Sequence, residues 1–327
     1  MSASRDPLER LERRAERVPQ RFLGRNVAVM LVRTVRRFVS VRVTGLAAEM
    51  TYYTILSLVP LLTGLGAGLG LLERFVGADT VADMESGIIN AVEAVFSEEL
   101  MADVVTPLIE ELLRQERTGI AVTGLLLSIW LASRVFRAAI RALDDAYEVE
   151  ERRTFLQQWT LSLGFTLAAV VMVTATLSFL VIGPLLGGGV QIAEWIGLGD
   201  TFARVWAAGR WPVLTMISIA FLAWLYRTGP NVTNRWRDCI PGAIVATAGL
   251  ILVASLFRVY LEVAGPQVPD VAQGDEGVLI AAQLLGVLAA TLIFVWLSNI
   301  CVLVGGLINA EWAHAVDHHV GGELGPP

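Results

Sequence analysis

Charge is scarce in this chain. Asp, Glu, Lys and Arg make up 17% of its 327 residues and hydrophobic residues 55%, whereas a soluble domain carries about 25% charge. Two soluble domains would fit the length, but the mean hydropathy of +0.61 and evenly spread apolar runs of about 20 residues exclude them and point to a polytopic membrane protein. Lysine is absent, and all 25 basic residues are arginine; this alone carries no functional reading. There are two cysteines, Cys239 at a membrane edge and Cys301 inside an apolar run, and neither has a CxxC partner. Such lone cysteines act as small hydrophobes, so no disulfide or metal centre is expected. The only histidines, His314, His318 and His319, lie in the C-terminal tail. His314 and His318 share a helix face but lack further ligands. No HExxH, P-loop, GxSxG or HxHxDH-like cluster occurs. The reading is therefore no catalytic residue, no metal and no cofactor. The charged N-terminus has no apolar h-region and is not a cleavable signal peptide.

What is present is organised by membrane logic. Residues 1–45 form a basic arm with 11 Arg against 4 acidic residues. Its stretch RNVAVMLVRTVRRFVSVRV suits an amphipathic helix on an anionic membrane surface, or a solvated positive flank that only fixes topology. Six apolar spans follow, near 46–72, 118–142, 159–185, 211–228, 240–264 and 279–309. The expected fold is an all-α polytopic bundle over 46–312, with a short cytoplasmic tail over 313–327. The second span is apolar only to Ser133. Arg134, Arg137 and Arg141 then recur at helical spacing, placed to snorkel at the interface. The last run is long enough to tilt, or to break near Gly286.

Arginine distribution sets the orientation. With the N-terminus inside, the inner segments carry 19 Arg and the outer ones 5, and Arg258 lies within the fifth span. This predicts both termini inside. The first outer loop, 73–117, holds 11 acids and 3 Arg, and its apolar periodicity predicts two amphipathic helices broken near Pro107.

Ionisable groups inside spans are expensive and so informative. Glu49 lies about a turn into the first span, where it either meets a basic group at the inner interface or lines a cavity. Arg258 and Glu262 lie four apart on one helix face and suit an ion pair. Polar uncharged groups (Tyr52, Tyr53, Ser57, Gln283, Asn299, Asn309) are expected to bridge helices or line a pocket. Pro60 predicts a kink near 56–60, and Pro212 and Pro241 are read as helix starts. Gly64, Gly66, Gly68 and Gly70 give overlapping small-xxx-small spacings, a close-packing face that would serve within the chain or in a homo-oligomer.

Four stretches together resemble the YihY/BrkB family of membrane proteins: AAEMTYYTILSLVPLL at 47–62, SRVFRAAIRALDDAYEVEERRTF at 133–155, LYRTGPNVTNRWRDCIPGAIVAT at 225–247 and VWLSNICVLVGGLINAEW at 295–312. The resemblance covers roughly 45–312 and implies a helical fold of about six spans. It marks Tyr52, Tyr53, Ser57 and Pro60 in the first motif, and Arg141, Tyr147 and Arg153 in the second. In the third it marks Tyr226, Arg227, Pro230, Trp236, Arg237, Asp238, Pro241 and Gly242, and in the last Gly305 and Asn309. The acid that the family often carries before this asparagine is replaced by Leu307. Some family members are labelled ribonuclease BN, which the residues here do not support.

The expected function is a plasma-membrane protein that transports, conducts or handles lipid. An envelope scaffold is the alternative. Membrane lipids are the expected partners, and nucleic acid is not. The inner-side arginines with Asp238 would bind an anionic head group or form a salt-bridge network.

Overall fold

The computed structural model describes residues 21–22, 25–76, 118–185, 199–232, 234–264 and 276–321, with some helical side chains left out. Most of the outer loop over 73–117 and the end of the tail lie outside these residues. So do the surroundings of Gly64 and Gly68 and the side chains of Glu262, Gln283 and the three histidines.

The described chain is helical apart from a two-residue antiparallel ladder, β1 (Arg21–Phe22) with β2 (Arg25–Asn26), pairing Arg21 with Asn26. Seven helices follow: α1 (Val27–Ser40), α2 (Val43–Val76), α3 (Thr118–Tyr147), α4 (Phe155–Leu185), α5 (Gly199–Thr228), α6 (Trp236–Ala264) and α7 (Glu276–Gly321). Helices α2 to α7 contain the six expected spans. Four described segments are long and apolar enough to cross a membrane: Val122–Tyr147, Phe155–Thr176, Trp236–Tyr260 and Leu285–Ala313. They display large apolar side chains outward, such as Leu126, Val171, Leu252 and Ile293, each at least half exposed. Water would penalise such contiguous apolar surface, whereas lipid does not. Helices suit lipid because every interior backbone group is satisfied within its own segment.

Local chemistry explains several helix ends. At the start of α4, the Thr154 N–H donates to Gln157 Oε1 at 2.9 Å and the Gln157 N–H to Thr154 Oγ1 at 3.4 Å. This capping box satisfies two donors that the first turn leaves orphaned. Helix α3 ends with Glu148 in the left-handed region, φ 56°. The Val149 N–H reaches the Asp144 carbonyl at 3.1 Å and the Glu148 N–H that of Asp145 at 3.3 Å. That pairing is a Schellman motif, with glutamate where glycine is usual.

Some details differ from the sequence reading. Pro212 lies well inside α5, which begins at Gly199. Pro241 lies one turn into α6, which begins at Trp236. Helix α7 runs to Gly321, beyond the expected end of the last span, and is unbroken at Gly286, one of the two alternatives for that run; α2 contains Pro60 within it, where a kink is expected. A proline costs a helix one donor and a clash. Long apolar helices absorb that where neighbouring groups re-satisfy the backbone.

The chain divides into two compact units: Met1–Ala48, Phe136–Leu252 and Ser298–Pro327 in the first, and Glu49–Val135 and Val253–Leu297 in the second. The core of the first joins Ile140 and Leu143 of α3, Phe165 of α4, Leu222 and Tyr226 of α5, and Ala243 and Ala246 of α6. Aromatic contacts fill it, with Phe165 4.5 Å from Trp224 and 5.8 Å from Phe136 between ring centroids. In the second unit, Phe257 of α6 meets Phe294 of α7 at 4.7 Å.

Candidate functional site

The first unit gathers most of the marked polar residues. Its charged centre is Arg37 of α1, which the sequence reading did not single out. Its guanidinium donates to the Ala146 carbonyl at the end of α3, pairs with Glu311 of α7, and pairs with Glu148 at 3.2 Å. The Arg37 and Glu311 side chains are 16% and 4% exposed, and that of Glu148 is 70% exposed. The Glu311 pair is thus desolvated, while the Glu148 arm is a surface contact. Glu311 lies one helical turn after Leu307, where the acid expected from the resemblance is missing. Leu307 is itself buried. A buried carboxylate therefore stands on the same stretch of helix, one turn along.

Asp144, in the last turn of α3, is 4% exposed. One carboxylate oxygen accepts the Asn231 N–H at 2.7 Å. The other is buried without a donor among the described residues, and the Glu151 carboxyl lies within hydrogen-bonding reach of the Asp144 carboxyl, so the two match only when one of them holds a proton. Glu151 and Arg153 are its charged neighbours. A buried acceptor left unmatched costs about 1–3 kcal/mol or more when charged, so it marks a place where a cation or proton would be welcome.

Arg153 acts on backbone. It donates to the carbonyls of Gly229 (2.6 Å), Thr228 (3.2 Å) and Pro230 (3.2 Å). These carbonyls lie at and just after the end of α5, where helix acceptors lack intrahelical donors. Asn231 Nδ2 donates to the Glu150 carbonyl at 3.2 Å, and Asn234 Nδ2 to that of Tyr226 at 3.2 Å. Arg153, Gln157, Thr160, Leu161 and Thr228 line an open depression of about 500 Å³. Pro230 and Tyr147 are buried beside this junction. Arg227 lies over the Trp236 ring at 4.5 Å. Arg141 and Arg237 are exposed and Asp238 half-buried.

Asn309 is a clip between helices. Buried on α7, it accepts the Gly242 N–H at 2.7 Å and donates to the Cys239 carbonyl at 2.9 Å. Both belong to the first turns of α6 around Pro241, where the ladder is weakened. Here α6 and α7 cross closely. A Cβ on Gly305 would lie 2.5 Å from the Gly242 carbonyl oxygen and 2.6 Å from the Tyr226 hydroxyl. That hydroxyl donates to the Val302 carbonyl at 2.6 Å.

The second unit holds Glu49, Tyr52, Tyr53 and Ser57 on α2. Glu49 is half-buried and engaged in a contact. Tyr52 is 60% exposed, with its ring edge-on to Tyr53 at 5.3 Å. Ser57 is buried and donates to the Thr54 carbonyl of its own helix at 2.7 Å. Tyr53 accepts from Arg134 Nη1 at 3.3 Å. Arg258 of α6 is exposed and engaged; its expected partner Glu262 has no described side chain.

The sequence profile of the family described as virulence factor BrkB matches residues 34–323. The chain belongs to this family. Among curated relatives, the "putative ribonuclease-like protein YfkH" of Bacillus subtilis is 28% identical over 275 residues, covering 81% of this chain and 88% of that protein. A "UPF0761 membrane protein" of Neisseria meningitidis serogroup B is 26% identical over 233 residues, 69% of this chain. Another, of Alkalilimnicola ehrlichii, is 26% identical over 289 residues, 83% of this chain. The chain spans about half the length of these UPF0761 relatives, 52% and 54%. No solved structure matches. The matched stretch of this chain includes Arg37, Asp144, Asn309 and Glu311, the groups that tie the first unit together.

Among these, sequence reasoning missed Arg37, Asp144 and Glu311. Asp144 and Glu311 were in view, inside the RALDDAY and LINAEW stretches. Only their pairing and burial reveal them.

Proposed function

We propose that this BrkB-family protein resides in the plasma (inner) membrane and moves or handles a small solute, an ion or lipid, without catalysis. The observation that carries the reading is the unmatched, buried oxygen of Asp144, with Glu151 nearby. Ionisable groups held at membrane helices in this state characteristically take up a cation or proton along a pathway. Membrane lipids are the partners this reading requires. Nucleic acid is not among them.

Reconstitution tests it. Proteoliposomes are screened with ion-sensitive dyes and fluorescent lipids against protein-free vesicles. Movement of at least one probe above the empty vesicles is expected, reduced by Glu49→Gln or Asp144→Asn. No movement of any probe by folded protein would sink the proposal.

The second reading, an envelope scaffold, is favoured by α1. There Leu31, Val35 and Val39 recur every four residues and are 54%, 52% and 65% exposed. That stripe beside arginines suits a membrane surface or a partner helix. Replacing Leu31, Val35 and Val39 together by serine, which leaves Arg37 and its partners in place, would abolish recovery of bound proteins under this reading and spare flux under the first. For the nuclease name of the Bacillus relative, incubation of purified protein with RNA and divalent metal is the check, with no cleavage expected.

A further inference from the structure

Helix α3 carries a cation with only neutral partners among the described residues. Arg134 is half-buried. Its Nη1 meets the Tyr53 hydroxyl at 3.3 Å, and its guanidinium carbon lies 5.5 Å from the Tyr53 ring centroid and 4.5 Å from that of Trp130. Both arginine and aromatics lie within one compact unit.

Such contacts only partly offset the cost of a desolvated guanidinium. Cation–π contacts are worth about 0.5–2 kcal/mol each, and a hydroxyl adds one neutral hydrogen bond. An arginine at a membrane helix whose partners among the described residues are all neutral suits an anionic ligand. The Nε–Nη2 edge of the guanidinium is a planar fork, the geometry that takes two oxygens of one phosphate.

Depth favours a lipid as the source. Tyr53 lies seven residues into the apolar run that starts at 46, and Arg134 eight before the end of the run closing at 142. At 1.5 Å per residue, each is about 10–12 Å from the arginine-rich helix ends, within reach of headgroups for a snorkelling side chain. Two neighbours are amphipathic and outward: Trp130 is 45% and Tyr52 60% exposed. Such rings collect at the headgroup level of a bilayer.

We propose that Arg134, Tyr53 and Trp130 form a binding site for a phosphate oxyanion, the headgroup phosphate of an anionic phospholipid. The site goes beyond the transport reading, because a lipid held there need not be moved. Its test reads binding alone.

The full chain is purified in detergent and titrated with phosphatidylglycerol, diacylglycerol and inorganic phosphate, with native mass spectrometry and thermal unfolding as readouts. The expected result is retention and thermal stabilisation by phosphatidylglycerol and none by diacylglycerol. Arg134→Gln should weaken lipid binding at least tenfold. Arg134→Lys, which keeps the charge and loses the fork, should weaken it severalfold and serves if the glutamine variant does not fold. Equal binding of phosphatidylglycerol by wild type and a folded Arg134 variant would overturn the site. Inorganic phosphate that displaces the lipid at lower concentration than the lipid itself would overturn the lipid source and reassign the site to a soluble oxyanion.

Discussion

Arg37 and Glu311 show how one residue pair sets the behaviour of the first unit. Both are desolvated, so removing one leaves the other charged and unanswered in a poor dielectric. That loss is about 3–5 kcal/mol for a buried pair, against about 0–1 kcal/mol for an exposed one. Arg37→Gln and Glu311→Gln are therefore expected to lower stability by roughly 3 kcal/mol or more each. Glu148→Gln, touching the exposed arm, should cost under about 1 kcal/mol. Thermal unfolding in detergent, run as a double-mutant cycle, separates the two; equal small losses at all three positions would contradict the geometry. Asn309 offers a second residue-scale check. Asn309→Leu strips one donor and one acceptor from buried backbone groups at once, with an expected cost of about 2–4 kcal/mol. Asn309→Asp retains an acceptor for Gly242 and should cost less than the leucine.

At the scale of elements, the sequence announces helices well and their meetings poorly. Composition within a run of residues is local information, which is why six apolar stretches reappear inside α2 to α7. The sequence reading has polar groups such as Tyr53, Ser57 and Asn309 bridge helices or line a pocket. Asn309 bridges α7 to α6 and Tyr53 meets Arg134, while Ser57 bonds its own helix, as do other hydroxyls in the runs: Thr54 donates to Met50, Thr166 to Ser162 and Thr291 to Val287, each at 2.8–2.9 Å. Periodicity is the same for a hydroxyl that turns inward to its own carbonyl and one that reaches a neighbour, so it does not distinguish them. The close-packing face expected at Gly64, Gly66, Gly68 and Gly70 lies outside the described surroundings. A close crossing among the described residues is made by Gly242 and Gly305, far apart in the chain. Gly305→Ala drives a Cβ into backbone that cannot yield, so destabilisation of roughly 2 kcal/mol or more is expected. Gly286→Ala, with nothing within 4 Å of its Cβ position, should be neutral or stabilising by up to about 1 kcal/mol. Helix termini supply a further contrast. Glu148 pays for its left-handed backbone by about 1–2 kcal/mol and gains only a surface ion pair. Glu148→Gly is expected to raise stability by about 0.5–1 kcal/mol on balance, read from the unfolding midpoint; a clear loss would mean that its arm to Arg37 is worth more than its exposure implies.

For the whole molecule, membership of the BrkB family and four apolar helices long enough to cross a bilayer make a membrane protein. Parts of three of the four motif segments converge within the first unit, at the end of α3, the α5–α6 turn and the glycine crossing of α6 with α7, while most of the first motif belongs to the second unit. Arg153 holds the α5–α6 turn by its carbonyls, and Asp144 holds the same turn through Asn231. That convergence was invisible in the sequence because each link joins residues many tens of positions apart. The proposed inner-side site, the headgroup depth of Arg134 and the role of α1 all rest on one claim, that the arginine-rich helix ends face the inside. Substituted-cysteine labelling tests it most directly. In a Cys239→Ala, Cys301→Ala background, single cysteines replace Arg152, Arg235 and, in the acidic loop, Ser86. A membrane-impermeant maleimide applied to intact cells should label position 86 at once and positions 152 and 235 only after permeabilisation. Labelling of 152 and 235 in intact cells, with 86 protected until permeabilisation, would contradict the account.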